Sequence, residues 1–420
     1  MKRIIQPSNH FTGVVSIPAS KSVSQRVLAL SAMLKGRVTL TGVGDSDDEN
    51  AAIKIIEQLG ALVERNKDVL TIDSTGVNYN NAKSVHVNES GLATRMFIPI
   101  LANATARVKV TGEGSILNRP MHFFHEVLPL LGVEVDSEKG TLPLVLKGPL
   151  QPTSIAVDGS LSSQYITGLV FGYVASEHEG DLVITIKGLK SKPYLMLTLA
   201  ALQLFSVNLP FHNDKIYYQG PYKLSAKEVA IEGDWSSASF LIVGAAINGK
   251  VILKNLLKKS LQSDVAILEA LQQFGASVHW ENDNLYVQKK ELTHFTFDAT
   301  DCPDLFPPLA VLAVFGEKES VIKGIHRLYH KESNRALAIQ EEFTKLGIRV
   351  TLDAEKDTMI VYPATVEGGV TVHSHGDHRM AMSLTLLGLF AKNPIEIDEP
   401  EVVSKSFPYF YEVIEGLVEG

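Results

Sequence analysis

Six helix-like runs along the chain are apolar nearly all round, and each follows a polar or charged cluster. They begin near Ser24, Gly91, Ser162, Ser236, Asp304 and Asp377. After each run comes a short break and then a stretch rich in β-branched residues, which is typical of a strand. Successive starts are 67, 71, 74, 68 and 73 residues apart. The pattern therefore repeats with a period of about 70 residues.

A second, two-sided helix is predicted within the repeat. In the first repeat, Ala52, Ile55, Ile56 and Leu59 recur at the spacing of an amphipathic helix, after Asp45-Ser46-Asp47 and before Gly60. The same kind of ending recurs at Leu131-Gly132, Phe274-Gly275 and Leu346-Gly347. Each repeat thus reads approximately as βαβαββ, with a buried first helix and a half-exposed second one.

Six such units exceed one comfortable hydrophobic core, so we expect two domains of three repeats each. We predict an N-terminal domain at residues 20–227 and a C-terminal domain made of residues 1–19 and 228–420. The strand-like G-V-V-S-I-P stretch near the start of the chain would join the second domain. That path gives a double hinge near residues 19–20 and 226–228. A rigid solenoid is the alternative, but the chain lacks polar capping repeats.

Composition narrows the possible partners. The chain has 420 residues and a formal charge of −8, which argues against a nucleic-acid binder. Its one cysteine, Cys302, excludes an internal disulfide and is typical of a reducing compartment. No secretory signal and no run of 18 apolar residues is evident. We expect a cytoplasmic, monomeric protein that binds small molecules and neither nucleic acid nor membrane.

Charged and hydroxyl side chains recur where strands give way to helices. They are Lys21, Ser22, Arg26, Arg95, Arg119, Ser162, Ser163, Gln164, Ser191, Lys192, Tyr194, Asp304, Lys331, Glu332, Arg335, Asp377, His378, Arg379 and Lys405. Helix N-termini favour anions through their free N–H groups and dipole. One such junction is equally typical of a simple cap. Cations at so many equivalent points of an acidic chain predict a cleft between the domains for one or two polyanionic small molecules.

The H-K-E-S-N-R stretch that ends at Arg335 is one of these junctions. In a helix, Lys331 and Arg335 would share a face and repel each other by roughly 0.2–0.5 kcal/mol unless an anion lay between them. Glu332 would point another way, because adjacent side chains diverge. An isolated stretch of this kind is more typical of a solvated helix start. Within the repeated series, it predicts an anion site with an acid or base beside it.

Other motifs favour no cofactor. His373, His375 and His378 in H-S-H-G-D-H match no common zinc spacing, and a charged helix start explains them better. Neither a G-x-x-x-x-G-K-[ST] loop nor a G-x-G-x-x-G turn after a strand occurs. Cys302 has no nucleophile signature around it. We therefore expect neither a metal nor a nucleotide cofactor.

Motifs along the whole chain resemble the 5-enolpyruvylshikimate-3-phosphate synthase family. In chain order they are K-S-V-S-Q-R from Lys21, G-E-G-S-I-L-N-R-P-M ending at Met121, S-S-Q from Ser162, S-K-P-Y from Ser191, G-D-W-S-S-A-S, P-D ending at Asp304, K-E-S-N-R, D-H-R-M-A-M and K-S-F-P. The resemblance implies an inside-out α/β barrel arrangement of two three-repeat domains. It also implies closure on shikimate 3-phosphate and phosphoenolpyruvate, and enolpyruvyl transfer through a tetrahedral intermediate with release of phosphate.

The resemblance also implies residue roles. The implied ligands of shikimate 3-phosphate are Lys21, Ser22, Arg26, Ser162, Ser163, Gln164, Ser191, Tyr194, Asp304 and Lys331. Those of phosphoenolpyruvate are Lys21, Gly91, Arg119, Gln164, Arg335, Arg379 and Lys405. The implied catalytic group is Asp304, Lys331 and Glu332, with His378 nearby. We assign the carbon proton to Glu332 and the hydroxyl proton to Asp304 with Lys331.

The chain departs from the family pattern at one place. The usual N-x-G-T-x-x-R is here Glu89-Ser90-Gly91-Leu92-Ala93-Thr94-Arg95, which adds a carboxylate and removes a hydroxyl.

Two other functions stay open. The sister enzyme acting on UDP-N-acetylglucosamine carries a Cys before the R-P of its mobile loop, and G-E-G-S-I-L-N-R-P has none. A non-catalytic anion-binding protein would keep the cations without a reason to keep Asp304 and Glu332.

Overall fold

The computed structural model describes residues 2–329 and 331–419, which form 23 strands and twelve α-helices. The chain divides into two compact units. Lys21–Ile231 makes one, called here the N-terminal unit. The residues up to Ser20 and those from Glu232 onward make the other, the C-terminal unit.

The N-terminal unit contains twelve strands and six helices among the described residues. The strands are β3 Arg37–Thr41, β4 Leu62–Asn66, β5 Val69–Asp73, β6 Ser84–His86, β7 Val108–Thr111, β8 Glu134–Asp136, β9 Leu144–Lys147, β10 Ile155–Asp158, β11 Gly180–Lys187, β12 Phe211–His212, β13 Lys215–Gly220 and β14 Glu228–Ala230. The helices are α1 Lys21–Met33, α2 Asp47–Gln58, α3 Gly91–Leu101, α4 His122–Val127, α5 Ser163–Ala175 and α6 Lys192–Leu204.

The C-terminal unit contains the remaining described elements. Its strands are β1 Lys2–Ile5, β2 Thr12–Ser16, β15 Lys250–Lys254, β16 Ser277–Glu281, β17 Asn284–Gln288, β18 Thr296–Asp298, β19 Ser320–Lys323, β20 Val350–Asp353, β21 Thr358–Val361, β22 Thr371–His373 and β23 Ile395–Asp398. Its helices are α7 Trp235–Asn248, α8 Ile267–Phe274, α9 Phe306–Val314, α10 Arg335–Lys345, α11 His378–Leu389 and α12 Phe410–Val418.

One sheet plan recurs throughout the described chain. The N-terminal unit has three four-stranded sheets, ordered β14-β3-β5-β4, β6-β7-β9-β8 and β10-β11-β13-β12. In each, the first two strands are parallel and the last two are joined antiparallel. The C-terminal unit has two sheets of the same plan, β2-β15-β17-β16 and β18-β19-β21-β20, and a three-stranded one, β1-β23-β22. The predicted α/β class and the recurring unit are confirmed.

Two strands reach their sheets from distant parts of the chain. β2, which contains most of the G-V-V-S-I stretch, lies parallel to β15, with Thr12 opposite Lys250 and Ser16 opposite Lys254. β14 lies parallel to β3, with Glu228 opposite Thr39. In the other four sheets, the parallel strands flank a helix in sequence, which is the usual way of joining parallel strands.

The two predicted kinds of helix are both present. α7 and α9 are buried along almost their whole length, while α10 leaves Leu337 half exposed. Ser46 begins α2 with a capping box, in which its side chain accepts from the Glu49 N–H and Glu49 caps the Ser46 backbone in return. The glycines at the predicted helix ends all have φ in the left-handed region that favours glycine. They are Gly60, Gly132, Gly275 and Gly347.

Helices α3 and α5 pack closely, with the backbone of α3 against two glycines of α5. A Cβ added at Gly168 of α5 would lie 2.0 Å from the Arg95 backbone oxygen. One added at Gly172, a turn later, would lie 2.8 Å from the Pro99 oxygen. Glycine at these points therefore lets the two helix backbones touch.

None of the helices in the described ranges is long and apolar enough to cross a membrane.

We expect Gly168→Ala to lower the free energy of unfolding by about 1–3 kcal/mol, because the new methyl meets a backbone atom that cannot rotate away. Gly416→Ala is the matched control: it also lies inside a helix, but nothing is within 4 Å of its added Cβ. The control should be neutral or stabilising by about 0.5–1 kcal/mol. Urea denaturation of both variants measures the difference. Equal effects would contradict the proposed close helix contact.

Candidate functional site

The N-terminal ends of four helices meet in the C-terminal unit. Arg379, in the first turn of α11, donates to the Ser236 hydroxyl at the start of α7 and, at 3.1 Å, to Asp304 just before α9. Arg335, the first residue of α10, donates to Asp304 at 2.8 Å. Asp377 caps α11 by accepting from the Arg379 N–H at 2.9 Å. Side-chain contacts therefore link the starts of these four helices within the C-terminal unit.

Asp304 lies at the centre of this cluster. It belongs to a single 3₁₀ turn, Pro303–Leu305, and its Oδ1 accepts from Lys331 Nζ at 3.1 Å as well as from Arg335. Burial alone would raise the pKa of this carboxyl. The positive charges of Arg379, Lys331 and Arg335 outweigh burial and hold the pKa well below its ordinary value. Asp304 is therefore ionised at neutral pH.

Arg335 is the most heavily paired cation of the cluster. Its side chain is 0 % exposed, and it donates to Asp377 at 2.8 Å, to Asp304 at 2.8 Å and to Glu332 at 2.6 Å. Burial would lower the pKa of the guanidinium, but these three carboxylates raise it. Three cations, Lys331, Arg335 and Arg379, thus face three carboxylates, so the described cluster is close to neutral rather than strongly positive.

Two details of the sequence prediction for this stretch are wrong. Lys331 does not share a helix with Arg335, because α10 begins only at Arg335; the two side chains meet on the carboxylate of Asp304 instead. Glu332 does neutralise Arg335, since a turn precedes the helix and lets the side chain fold back. His330, which opens the stretch, lies outside the described residues.

Lys331 is the cation best placed to exchange a proton. Burial lowers the pKa of its ammonium group, while the neighbouring Asp304 opposes that change.

Lys405 donates to the Gly376 carbonyl oxygen at 2.8 Å, which places it beside the start of α11. His378 is the first residue of α11 and is buried. The site residues predicted from the sequence for this unit thus lie around the same four helix starts.

In the N-terminal unit, the starts of α1, α2 and α3 are linked by side chains. Lys21 Nζ lies 3.0 Å from Asp48 Oδ2, and Gln25 donates to the same carboxylate at 3.4 Å. Ser90, the N-cap of α3, donates to Gln25 at 3.2 Å. Asp48 was not singled out from the sequence, because only the folded chain brings it to Lys21.

Arg26 joins α1 to α6 through neutral acceptors. Its Nε donates to the Thr198 hydroxyl at 2.9 Å, and its terminal nitrogens donate to the carbonyl oxygens of Ser22 at 2.7 Å and Tyr194 at 3.4 Å. Burial lowers the pKa of this guanidinium to about 10. The hydrogen bonds of Arg26 therefore go to neutral oxygens, and those to Thr198 and Tyr194 connect it to α6.

Gly91 brings two arginines together at the start of α3. A Cβ added there would lie 2.6 Å from a terminal nitrogen of Arg119 and 3.0 Å from one of Arg95. Arg95 donates to the Gln164 side chain at 2.7 Å and also lies over the Tyr165 ring, 5.0 Å from its centroid. Two guanidinium groups beside a helix N-terminus can bind a phosphate or carboxylate.

The hydroxyl groups of this unit occupy two further helix starts. Ser162 caps α5 by accepting from the Gln164 N–H at 3.3 Å, and Ser163 is buried directly behind it. Ser191 precedes α6 with φ of 52°, in the left-handed region that a serine seldom adopts. Such a strained residue at a helix start is more common at functional sites than elsewhere.

Glu89, the departure from the family pattern, faces the Arg119 loop. Its carboxylate accepts from the Ser115 N–H at 2.8 Å, at the start of the 3₁₀ turn Gly114–Asn118 that leads to Arg119. A Cβ added at Gly114 would lie 2.3 Å from Glu89. The added carboxylate thus anchors the loop by its backbone, a role that the sequence did not indicate.

Three further groups near Asp304 are Asp377, Asp264 and Cys302, for which the sequence indicated no role in binding or catalysis. Asp377 accepts from Arg335, and only its position before α11 could have indicated this. Asp264 is buried, and burial together with the charge of Asp304 raises its pKa to about 7, against the opposing effect of Arg379. Cys302 is buried, and burial raises the pKa of its thiol, so it is a poor nucleophile, as its sequence context indicated.

Taken together, fold and site define a two-unit α/β protein with small-anion-binding groups at its helix starts. The model of the EPSP synthase (3-phosphoshikimate 1-carboxyvinyltransferase) family matches residues 5–414. The chain belongs to this family.

Similar proteins agree with the family match over nearly the full chain. The 3-phosphoshikimate 1-carboxyvinyltransferase of Clostridioides difficile is 32% identical over 97% of this chain and 95% of its own length. That of Thermococcus kodakarensis is 32% identical over 99% of this chain and 100% of its own length. The EPSP synthase structure from Acinetobacter baumannii has a TM-score of 0.82 at 26% identity, covering 99% of this chain and 98% of that one.

Arg335→Met should destabilise the protein by about 3–5 kcal/mol at pH 7, since it leaves three carboxylates without their shared cation. The depressed pKa of Asp304 stabilises the fold above its unfolded pKa, and this stabilisation is lost as pH falls through the folded pKa. The difference between variant and wild type should therefore persist down to about pH 4 and shrink only as pH falls further, through this folded pKa. Urea titrations at several pH values measure it.

Lys356→Met is the control for this experiment. The Lys356 side chain is 79% exposed and lies 3.3 Å from Asp353 on the surface of the same unit. Its loss should change stability by no more than about 0.5 kcal/mol. A similar loss in both variants would show that Arg335 is not the cation on which the cluster depends.

Proposed function

We propose that this chain transfers the enolpyruvyl group of phosphoenolpyruvate to the 5-hydroxyl of shikimate 3-phosphate, with release of phosphate, in the shikimate pathway of aromatic amino-acid biosynthesis. The observation that carries the proposal is the contact of Asp304 with Lys331, Arg335 and Arg379 in a chain matched to the EPSP synthase family over residues 5–414. This contact brings an acid–base pair together with cations suited to anionic substrates.

Shikimate 3-phosphate is assigned chiefly to the N-terminal unit. Its proposed ligands there are Lys21, Ser22, Arg26, Ser162, Ser163, Gln164, Ser191 and Tyr194. The buried Ser163 and Ser191 lie at the starts of α5 and α6, where hydroxyl and N–H groups together suit a phosphate ester. The burial of these two serines and the N–H groups at the two helix starts support the assignment.

Phosphoenolpyruvate is assigned chiefly to the C-terminal unit. Its proposed ligands are Arg335, Arg379 and Lys405, together with Lys21, Gly91, Arg119 and Gln164 from the N-terminal unit. Arginine suits the bidentate binding of carboxylate and phosphate groups. The closeness of Arg119 to Gly91 supports its assignment to an anion.

The proposed chemistry has two stages. In the addition, Asp304 with Lys331 accepts the proton of the 5-hydroxyl as its oxygen bonds to C2 of phosphoenolpyruvate, and Glu332 protonates C3. In the elimination, C3 returns its proton to Glu332 and the C–O bond to phosphate breaks, which forms the C2=C3 double bond of the enol ether. The departing phosphate takes up the hydroxyl proton from Asp304 with Lys331. His378 lies near this group at the start of α11 and is proposed to assist it. No cofactor is required for these steps.

The pKa of Asp304 links substrate binding to catalysis. With its three cations in contact, the carboxylate is a weak base because its pKa is held well below the ordinary value. A phosphate and carboxylate arriving on Arg335, Arg379 and Lys331 would draw these cations away from Asp304. Its pKa would then rise, so Asp304 becomes a stronger base only when phosphoenolpyruvate is bound.

We further propose a cytoplasmic, monomeric enzyme. The single buried Cys302 supports the cytoplasmic location, and the formal charge of the chain is −8. The same composition argues against nucleic acid as a partner.

The purified protein should release phosphate only when shikimate 3-phosphate and phosphoenolpyruvate are both present. Phosphate release and formation of the enolpyruvyl ether are measured together, with each substrate omitted in turn. Release with UDP-N-acetylglucosamine instead of shikimate 3-phosphate would identify the sister reaction. Binding of both substrates without turnover would favour the non-catalytic anion-binding protein.

Glu332→Gln should bind both substrates but lose most turnover, by about 10²–10⁴-fold, because the amide accepts a hydrogen bond and cannot deliver the proton. The Glu332 side chain is 22% exposed, and the amide oxygen of Gln can still accept from Arg335, so this hydrogen bond is kept. Calorimetric binding and steady-state kcat measure the two effects. An unchanged kcat would remove Glu332 from the proton transfer.

A further inference from the structure

The H-S-H-G-D-H motif lies directly between the end of β22 and the start of α11. His375 has φ of 54°, in the left-handed region that non-glycine residues seldom adopt, and Gly376 follows with φ of 65°. This backbone costs free energy, so side-chain contacts must help to keep it in place. The segment 373–377 is therefore a strained connection that ends at Asp377.

Glu342 of α10 provides such contacts. Its side chain is 0 % exposed, and its two oxygens accept from the His373 N–H at 3.0 Å and from His375 Nε2 at 2.7 Å. Lys345 donates to the same carboxylate at 2.7 Å. A buried carboxylate with three donors is stable, while removal of one charged partner is costly.

The same segment and helix carry the proposed phosphoenolpyruvate ligands. Glu342 lies seven residues after Arg335, two turns along one face of α10. α10 thus contacts the segment twice, through Arg335 to Asp377 and through Glu342 to His375. Between these points, the Gly376 carbonyl accepts from Lys405 at 2.8 Å.

We propose that protonated His375, paired with Glu342, is a positioning residue that holds the 373–377 segment so that Lys405, Arg335 and Arg379 are set for phosphoenolpyruvate. This inference rests on the proposed function. Neither histidine touches the reacting atoms in it. Its chemistry is a charge-assisted hydrogen bond, which is about twice as strong as a neutral one.

The charged groups around His375 favour its protonated form. The hydrogen bond that His375 donates to Glu342 raises the pKa of the imidazole, and burial opposes this. The charge of Glu341 adds to the rise, while that of Lys345 reduces it. The His373 ring lies 6.3 Å away, edge-on, and pairs with Asp398 at 3.3 Å. Because the folded pKa is raised, the pair is fully formed below the unfolded value and weakens as pH rises through the folded pKa.

The decisive variant is His375→Asn, because asparagine tolerates a left-handed backbone and removes the imidazolium. At pH 6.5 its KM for phosphoenolpyruvate should rise about three- to tenfold with kcat nearly unchanged, as expected when a charge-assisted contact that orients binding groups is lost. Toward pH 9 the wild-type KM should approach that of the variant. The KM for shikimate 3-phosphate should stay within about twofold at both pH values.

His373→Asn is the matched control, since its side chain is 51% exposed and pairs with Asp398 on the same segment. It should keep the wild-type pH profile. Glu342→Gln should reproduce the effect of His375→Asn, and the double variant should add little to either one. A wild-type pH profile in His375→Asn, or an equal rise in both KM values that follows a lower melting temperature, would overturn the proposal.

A readout without turnover separates this proposal from the proposed function. Titration of the His375 ring by NMR, assigned through His375→Asn, should give a pKa above that of an exposed histidine, about 6.5. Glu342→Gln should lower it. An unchanged value would overturn the pairing, whereas a wild-type protein that releases no phosphate would overturn the proposed function and leave the titration result intact.

Discussion

The buried guanidinium of Arg335 is the interaction on which the C-terminal unit's site depends. A cation with 0 % exposure is tolerated only when its charge is matched and its donors are satisfied, and Asp304, Glu332 and Asp377 do both. These carboxylates come from three separate parts of the chain. The one side chain thereby ties the start of α10 to the turn before α9 and to the cap of α11.

Arginines of the two units differ in the groups that accept their hydrogen bonds. In the C-terminal unit, Lys331, Arg335 and Arg379 are balanced by carboxylates, so an incoming anion must compete for them. In the N-terminal unit, Arg26 and Arg95 donate to hydroxyl, carbonyl and amide oxygens. Neutral acceptors leave the charge of a guanidinium uncompensated. Lys21 of the same unit is instead paired with the carboxylate of Asp48.

Under the proposed function, the competition between carboxylates and an incoming anion for the cations of the C-terminal unit has a chemical consequence. The cations that would bind phosphoenolpyruvate are those that make Asp304 a weak base beforehand. Binding and activation of the base are then one event, which limits unproductive proton transfer before the substrate arrives. The His375–Glu342 pair would act indirectly. It would fix the backbone of the segment that contains Asp377 and whose Gly376 carbonyl accepts from Lys405.

Local patterns in the sequence determined much of this protein. The period of about 70 residues, the buried helices, the glycines that end α2 and α8 and the capping box at Ser46 all follow from spacings within one turn or one strand. The motifs at helix starts also indicated the family. What only the tertiary structure decided is which charges meet: Arg335 with Asp377, Lys21 with Asp48, and Glu342 with His375. These partners lie 27 to 42 residues apart, and their meeting depends on how whole helices pack, which no local spacing encodes.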